Sequence, residues 1–186
     1  MKLKIFQRNA ERKGDVKKVR REGEIPAALY VREKPTETIK IDKHEFISLL
    51  RQIKPGRLST TKFTLIDENG KERFAIVKDI QYHVTDYSVI HLDFEELLDD
   101  VKVNVNIPIE CTGVADCPGI KLGGTLRQVI RHLRVECLPK YIPEYFELAV
   151  KSLGVRGAKR LKDLEIPTEV RPLADLNEVS VVIAKR

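Results

Sequence analysis

The residues best suited to chemistry in this sequence are cationic and clustered. Lys13, Lys17 and Arg20 recur at i, i+4 and i+7 with Arg21 beside them, so a helix here carries one basic face. Gly14 sits at the start of the run, where the absence of a side chain lets backbone approach a phosphate. Such a face suits a polyanion, because each cation set against a phosphate releases condensed counterions. His91 and Asp93 lie two apart, which places both on one face of a strand. That pair is open to three readings: acid–base chemistry, a polar contact to a nucleic-acid base, or a solvated strand face.

The other reactive side chains form no recognisable constellation. Cys111, Cys117 and Cys137 are separated by six and twenty residues, with no C-x-x-C and no H-x-x-x-H, so no metal site is expected. Three thiols cannot close a disulfide framework, and a reducing, cytoplasmic setting is the simplest one. A Cys–His nucleophile needs a positioned base and an oxyanion site, and no motif here supplies either. Gly119-Ile120-Lys121-Leu122-Gly123-Gly124 lacks the Gly-Lys-Ser/Thr ending of a phosphate loop and reads as a loop of a β domain. Aromatic residues are 6% of the chain and tryptophan is absent. A base-stacking single-strand binder would need more of them. Folded RNA, read by shape, phosphate and 2′-hydroxyl, fits better.

Charge is unevenly distributed. The chain of 186 residues has a net charge of +6, from 34 Lys and Arg against 28 Asp and Glu. The first 32 residues hold ten of the cations and four of the anions, an excess equal to that of the whole chain. A local basic excess points to RNA, DNA or an anionic membrane surface as partner. No run approaches the roughly 20 apolar residues of a membrane helix. The N-terminal Met1–Arg8 returns to charge before an apolar region forms, so no secretory signal is expected.

The elements that must position these residues are mostly strands. Residues 2–7 alternate. Val16 and Val19 would turn the helix at 13–21 onto the body, and Gly23 ends it before the extended segment from Ile25-Pro26 to Tyr30. A strand at 36–41 leads to a helix opened by Asp42 with Glu45 three residues on, its stripe Phe46, Leu49, Leu50 and Ile53, stopped by Pro55-Gly56. Strands at 62–66 and 73–77 flank Asp67-Glu68-Asn69-Gly70, a hairpin, and a second pair is expected at 80–84 and 89–94. The acidic residues Glu95, Glu96, Asp99 and Asp100 mark a boundary between domains 1–95 and 96–186. Beyond it, 101–109 alternates as a strand with an edge near Pro108, 113–124 is loop, 126–138 and 145–150 are strands, 151–164 is loop or short helix, and 179–184 is the final strand. The fold class is mainly β with a few short helices: an N-terminal barrel and a second β-rich domain.

Several segments in order resemble one family. Lys13-Gly14, then Lys17-Lys18-Val19-Arg20-Arg21-Glu22-Gly23-Glu24-Ile25-Pro26-Ala27-Ala28-Leu29-Tyr30, is similar to the signature of the bacterial large-subunit ribosomal proteins numbered twenty-five. That 5S rRNA-binding family includes the general stress protein CTC. Lys78-Asp79-Ile80-Gln81-Tyr82-His83 and Val89-Ile90-His91-Leu92-Asp93-Phe94 resemble its next motifs, and 113–126 and 133–139 resemble those of the long CTC form. The resemblance implies a barrel that grips 5S rRNA across a minor groove, with Arg8, Lys13, Lys17, Lys18 and Arg20 on phosphate and ribose. It implies that Tyr30, Lys78, His91 and Asp93 share that surface. Departures are Val31 for a usual glycine, Val16 for a common serine, and Val155-Arg156-Gly157-Ala158 where the family often has I-G-D-S. The expectation is a non-enzymatic, cytoplasmic, ribosome-associated constituent of the large subunit, with 5S rRNA and neighbouring 50S components as partners. It includes no catalytic residue, metal, cofactor, membrane or small-molecule substrate. The alternatives are a small Cys/His enzyme and a stress-linked interaction protein acting partly off the ribosome.

Overall fold

The structure is a computed structural model; it describes residues 1–8, 13–31 and 35–185, and for Lys13 the backbone alone. The chain divides into two compact units, Met1–Val101 and Lys102–Arg186. The division falls a few residues beyond the boundary read from the acidic run, because the strand before it continues to Glu96.

The first unit holds β1 (Lys2–Lys4), β2 (Phe6–Gln7), α1 (Lys13–Arg21), β3 (Glu24–Tyr30), β4 (Glu37–Asp42), α2 (Lys43–Gln52), β5 (Lys62–Ile66), β6 (Glu72–Tyr82) and β7 (Val89–Glu96). Its strands form one sheet in the order β1-β5-β6-β7-β3-β4-β2. The two ends of that sheet are consecutive pieces of chain. β1 runs parallel to β5, β2 antiparallel to β4, and only Ile5 separates them. The sheet therefore nearly closes on itself as a barrel, which removes most of the exposed edge. Alternation explains the filling: Leu3, Leu65, Leu92 and Phe94 point inward from their strands and are fully buried.

α2 covers part of that core. Asp42 caps it, its side chain accepting the Glu45 N–H at 2.8 Å. Phe46 from this helix lies 6.4 Å from the Phe63 ring, which meets Phe94 edge-on at 6.1 Å. The β5–β6 hairpin turns at Gly70, whose φ of +75° is one a glycine adopts freely. Arg73 ties three strand regions together, with paired bonds of 3.0 and 2.9 Å to Glu37 and a third of 3.0 Å to Asp67. The segment expected to begin a new strand at residue 80 is instead the end of β6, an eleven-residue strand that shifts register between Val77 and Asp79. The bulge is set by the pairing of β6 with β7, which β6 taken alone does not specify.

The second unit holds β8 (Val103–Thr112), α3 (Pro118–Lys121), β9 (Gly124–Gln128), β10 (His132–Cys137), β11 (Phe146–Ala149), β12 (Ala158–Arg160), β13 (Arg171–Pro172) and β14 (Val179–Lys185). They make two sheets, β11-β8-β10-β13 and β12-β14-β9. The single strand expected over 126–138 is thus two strands in different sheets; the Val129 and Ile130 N–H groups both reach the Ser180 carbonyl, turning the chain between them. At Pro108 the strand β8 is paired on its β10 side alone. The proline ring costs no hydrogen bond, because Ile109 N–H donates to Arg131 on the β10 side and β11 pairs only from Ile109 onward. The glycine-rich stretch contains α3, and a Cβ at Gly124 would lie 2.6 Å from the Gly119 carbonyl oxygen, so close packing rather than phosphate binding accounts for that glycine.

Candidate nucleic-acid interface

α1 forms where the basic spacing placed it. It packs on β3 and buries Val19, while Lys17, Lys18, Arg20 and Arg21 are exposed. Ala28 shares β3's outer face with Asp93 across the β3–β7 pairing, and small residues there leave room for the helix. Among the described residues Lys18 has a single loose partner, Glu22 one turn on at 3.9 Å.

Two arginines converge beside this helix. Arg20 donates from Nε and Nη2 to the Ile90 carbonyl at 3.1 and 3.0 Å, latching α1 to β7. Arg8 donates from Nε to the Ile39 carbonyl at 3.0 Å. Its Nη1 is buried with no hydrogen-bond partner among the described residues. Burial, and then the like charge of Arg20, push the Arg8 guanidinium below its ordinary pKa. Gathering two guanidinium groups and orphaning a buried donor is unfavourable in the free protein; an incoming anion relieves both terms at once.

His91 completes the cluster on β7. Burial holds its pKa below the usual imidazole value; Asp93 opposes this, while Arg8 and Arg20 push the same way as burial. Its Nδ1 lies 3.3 Å from Asp93 Oδ1, near enough for attraction but out of line for a hydrogen bond. The Tyr30 hydroxyl donates to the same Oδ1 at a long 3.5 Å, and Asp93 raises the tyrosine pKa. Register also sets Asp79 opposite Asp93 and Gln81 opposite His91. Arg8, Arg20, Tyr30, His91 and Asp93 thus form one interacting group, with Asp79 and Gln81 beside it. Lys78 falls at the β6 bulge and is paired to Glu95 instead. The Lys13 side chain, with Arg12 and Arg32, lies outside what is described. Sequence reasoning did not single out Asp79 and Gln81 as site residues; the only signal for them was their place in the segment before His83.

The charge that makes this surface basic is local. Met1–Val101 carries 20 Lys and Arg against 18 Asp and Glu, while Lys102–Arg186 carries 14 against 10. The small excess of the second unit is offset by the acidic balance of residues 33–101, so the first 32 residues still account for the net charge of the chain.

Burial pushes the Cys111 thiol pKa up, away from a thiolate. Cys117 is buried and donates to the Leu153 carbonyl at 3.2 Å. Among the described residues no group of three or more His, Cys, Asp or Glu is placed to hold a metal ion. No helix among them is long and apolar enough to cross a membrane.

Residues 3–94 match the ribosomal L25p family, and residues 102–186 match the C-terminal domain of ribosomal protein TL5. The whole chain is 48% identical to the large ribosomal subunit protein bL25 of Chlamydia muridarum, 49% to that of Chlamydia trachomatis serovar D and 44% to that of Chlamydia pneumoniae, each over 100% of both chains. The chain belongs to the ribosomal L25p family. Its members are ribosomal proteins, structural rather than enzymatic, and the Cys/His enzyme alternative is set aside on that ground.

Proposed function

We propose that this protein is a structural constituent of the bacterial large ribosomal subunit and that it binds 5S rRNA through the outer face of its N-terminal unit. The observation that carries the reading is the Arg8–Arg20 pair with its buried, unpartnered Nη1. Lys17 and Lys18 add exposed cations on the adjoining helix, and Lys13 begins that helix. In this reading Arg8, Lys13, Lys17, Lys18 and Arg20 meet phosphate and ribose. Tyr30, His91 and Asp93 meet ribose and base edges in a shallow minor groove, and Lys78 exchanges Glu95 for RNA. The domains divide the work: the family match to residues 3–94 supports RNA binding by the barrel, with residues 96–186 as the CTC-type domain. Ribosome association makes the site of action cytoplasmic.

Filter binding of the full chain to 5S rRNA, against a tRNA competitor, tests the reading. Retention of 5S rRNA with a steep salt dependence is expected. Equal competition by tRNA would reduce the surface to a general polyanion patch.

A further inference from the structure

The turn between β6 and β7 is closed by its own hydrogen bonds, and Val84 and Tyr87 project from it into solvent. His83 N–H donates to the Ser88 carbonyl at 2.8 Å and Tyr87 N–H to the His83 carbonyl at 3.0 Å. Inside the turn, Asp86 Oδ1 accepts the Ser88 hydroxyl at 3.1 Å and amide at 3.3 Å, and lies 2.8 Å from His83 Nδ1. Thr85 Oγ1 is 3.0 Å from the same ring nitrogen. Within this frame Tyr87 has φ of +53°. That conformation is ordinary for glycine or asparagine and unfavourable for a bulky side chain. The ring gains nothing inside the fold, being 77% exposed, and Val84 is 88% exposed with Tyr82 also out in solvent. A strained backbone that presents an unused aromatic ring is the mark of a contact made elsewhere.

The chemistry of the tip says what that contact is. The Ser88 hydroxyl, more than any other neighbour, holds the Asp86 carboxyl below the usual carboxylate range, so it is ionised. At the tip itself, from Ile80 to Ile90, the chain has one acid, Asp86, and no Lys or Arg. Phosphate is repelled by such a segment. An arginine or lysine is drawn to it, since the cation can lie over the Tyr87 face and pair with Asp86. Exposed tyrosines on a rigid support are also the anchors that protein interfaces favour.

We propose that the β6–β7 tip, through Tyr82, Val84, Asp86 and Tyr87, docks onto a cationic surface of a neighbouring protein in the assembled particle. The inference rests on the large-subunit reading above but uses none of its RNA-facing residues. Two measurements on the full chain test it. First, p-benzoylphenylalanine is placed at position 87 and the protein is rebuilt into large subunits lacking their own copy. Irradiation should give an adduct destroyed by protease and resistant to ribonuclease. Second, Tyr87→Gly should compete with the wild type for those subunits at least about tenfold less well, with 5S rRNA filter binding unchanged and the melting temperature not lowered. An adduct to RNA, no adduct, equal competition, or a lowered melting temperature would each overturn the docking role. Failure of the wild type to bind 5S rRNA, with the protein adduct still formed, would instead overturn the RNA reading and leave the tip's role standing.

Discussion

Asp93→Asn offers a test in which two mechanisms differ in sign. Asp93 is only 18% exposed and faces the cluster of Arg8, Arg20 and His91. If its charge is all that matters, removing it relieves repulsion with RNA. A phosphate roughly 7 Å away repels a carboxylate by about 0.6 kcal/mol at the dielectric of water. That is about a threefold tightening, less once salt screens it. The structure favours the opposite sign. Oδ1 is shared between the Tyr30 hydroxyl and the His91 ring. Oδ2 accepts nothing among the described residues, so it is available to N–H groups on a base edge. A paired base contact is worth about 1–3 kcal/mol, by analogy with duplex DNA. Asparagine keeps the shape but turns one acceptor into a donor, so binding should weaken by about 5- to 150-fold. The salt slope should barely move, because no counterion-releasing cation is lost. Filter binding of both proteins to 5S rRNA across a salt series measures the two quantities together. Tighter binding by Asp93→Asn at every salt concentration would refute the base-contact role.

Replacing Lys17 and Lys18 with Ala should weaken binding and flatten the log–log salt dependence by somewhat under about one unit per lost phosphate contact; an unchanged slope would mean both side chains face only solvent. A fragment Met1–Val101, which contains the whole barrel core, should fold and bind 5S rRNA within about threefold of the full chain, the second unit adding only its non-specific charge; titration of both decides it. His91 predicts a pH effect on stability. Its folded pKa lies below the unfolded value of about 6.5, so the native protein resists a proton that the unfolded chain accepts. Its contribution is therefore present above the unfolded pKa and lost as pH falls through the folded one. Urea midpoints between pH 7 and 5 should fall less for His91→Gln than for the wild type; parallel curves would show that His91 is not the group responsible.

Much of the site could be read in the sequence because its parts are local. The basic face at 13–21 follows from helical spacing, and the shared face of His91 and Asp93 follows from the two-residue period of a strand. Charge, spacing and turn residues act over a few positions and need no partner from elsewhere. What joined them did need one. Arg8 reaches His91 only because the two ends of the sheet are consecutive chain, so the barrel closes around Ile5. Arg20 reads as another surface cation until β7 presents the Ile90 carbonyl to it. The bulge after Val77, which sets Asp79 opposite Asp93 and leaves Lys78 to Glu95, is a property of the β6–β7 pair and of neither strand alone. The split of residues 126–138 between two sheets is likewise decided by the Ser180 carbonyl on a distant strand. Local patterning thus determined which faces are basic and which strands are amphipathic. The long-range pairing of strands, whose register depends on residues far apart in sequence, decided which side chains meet and which donor was left without a partner.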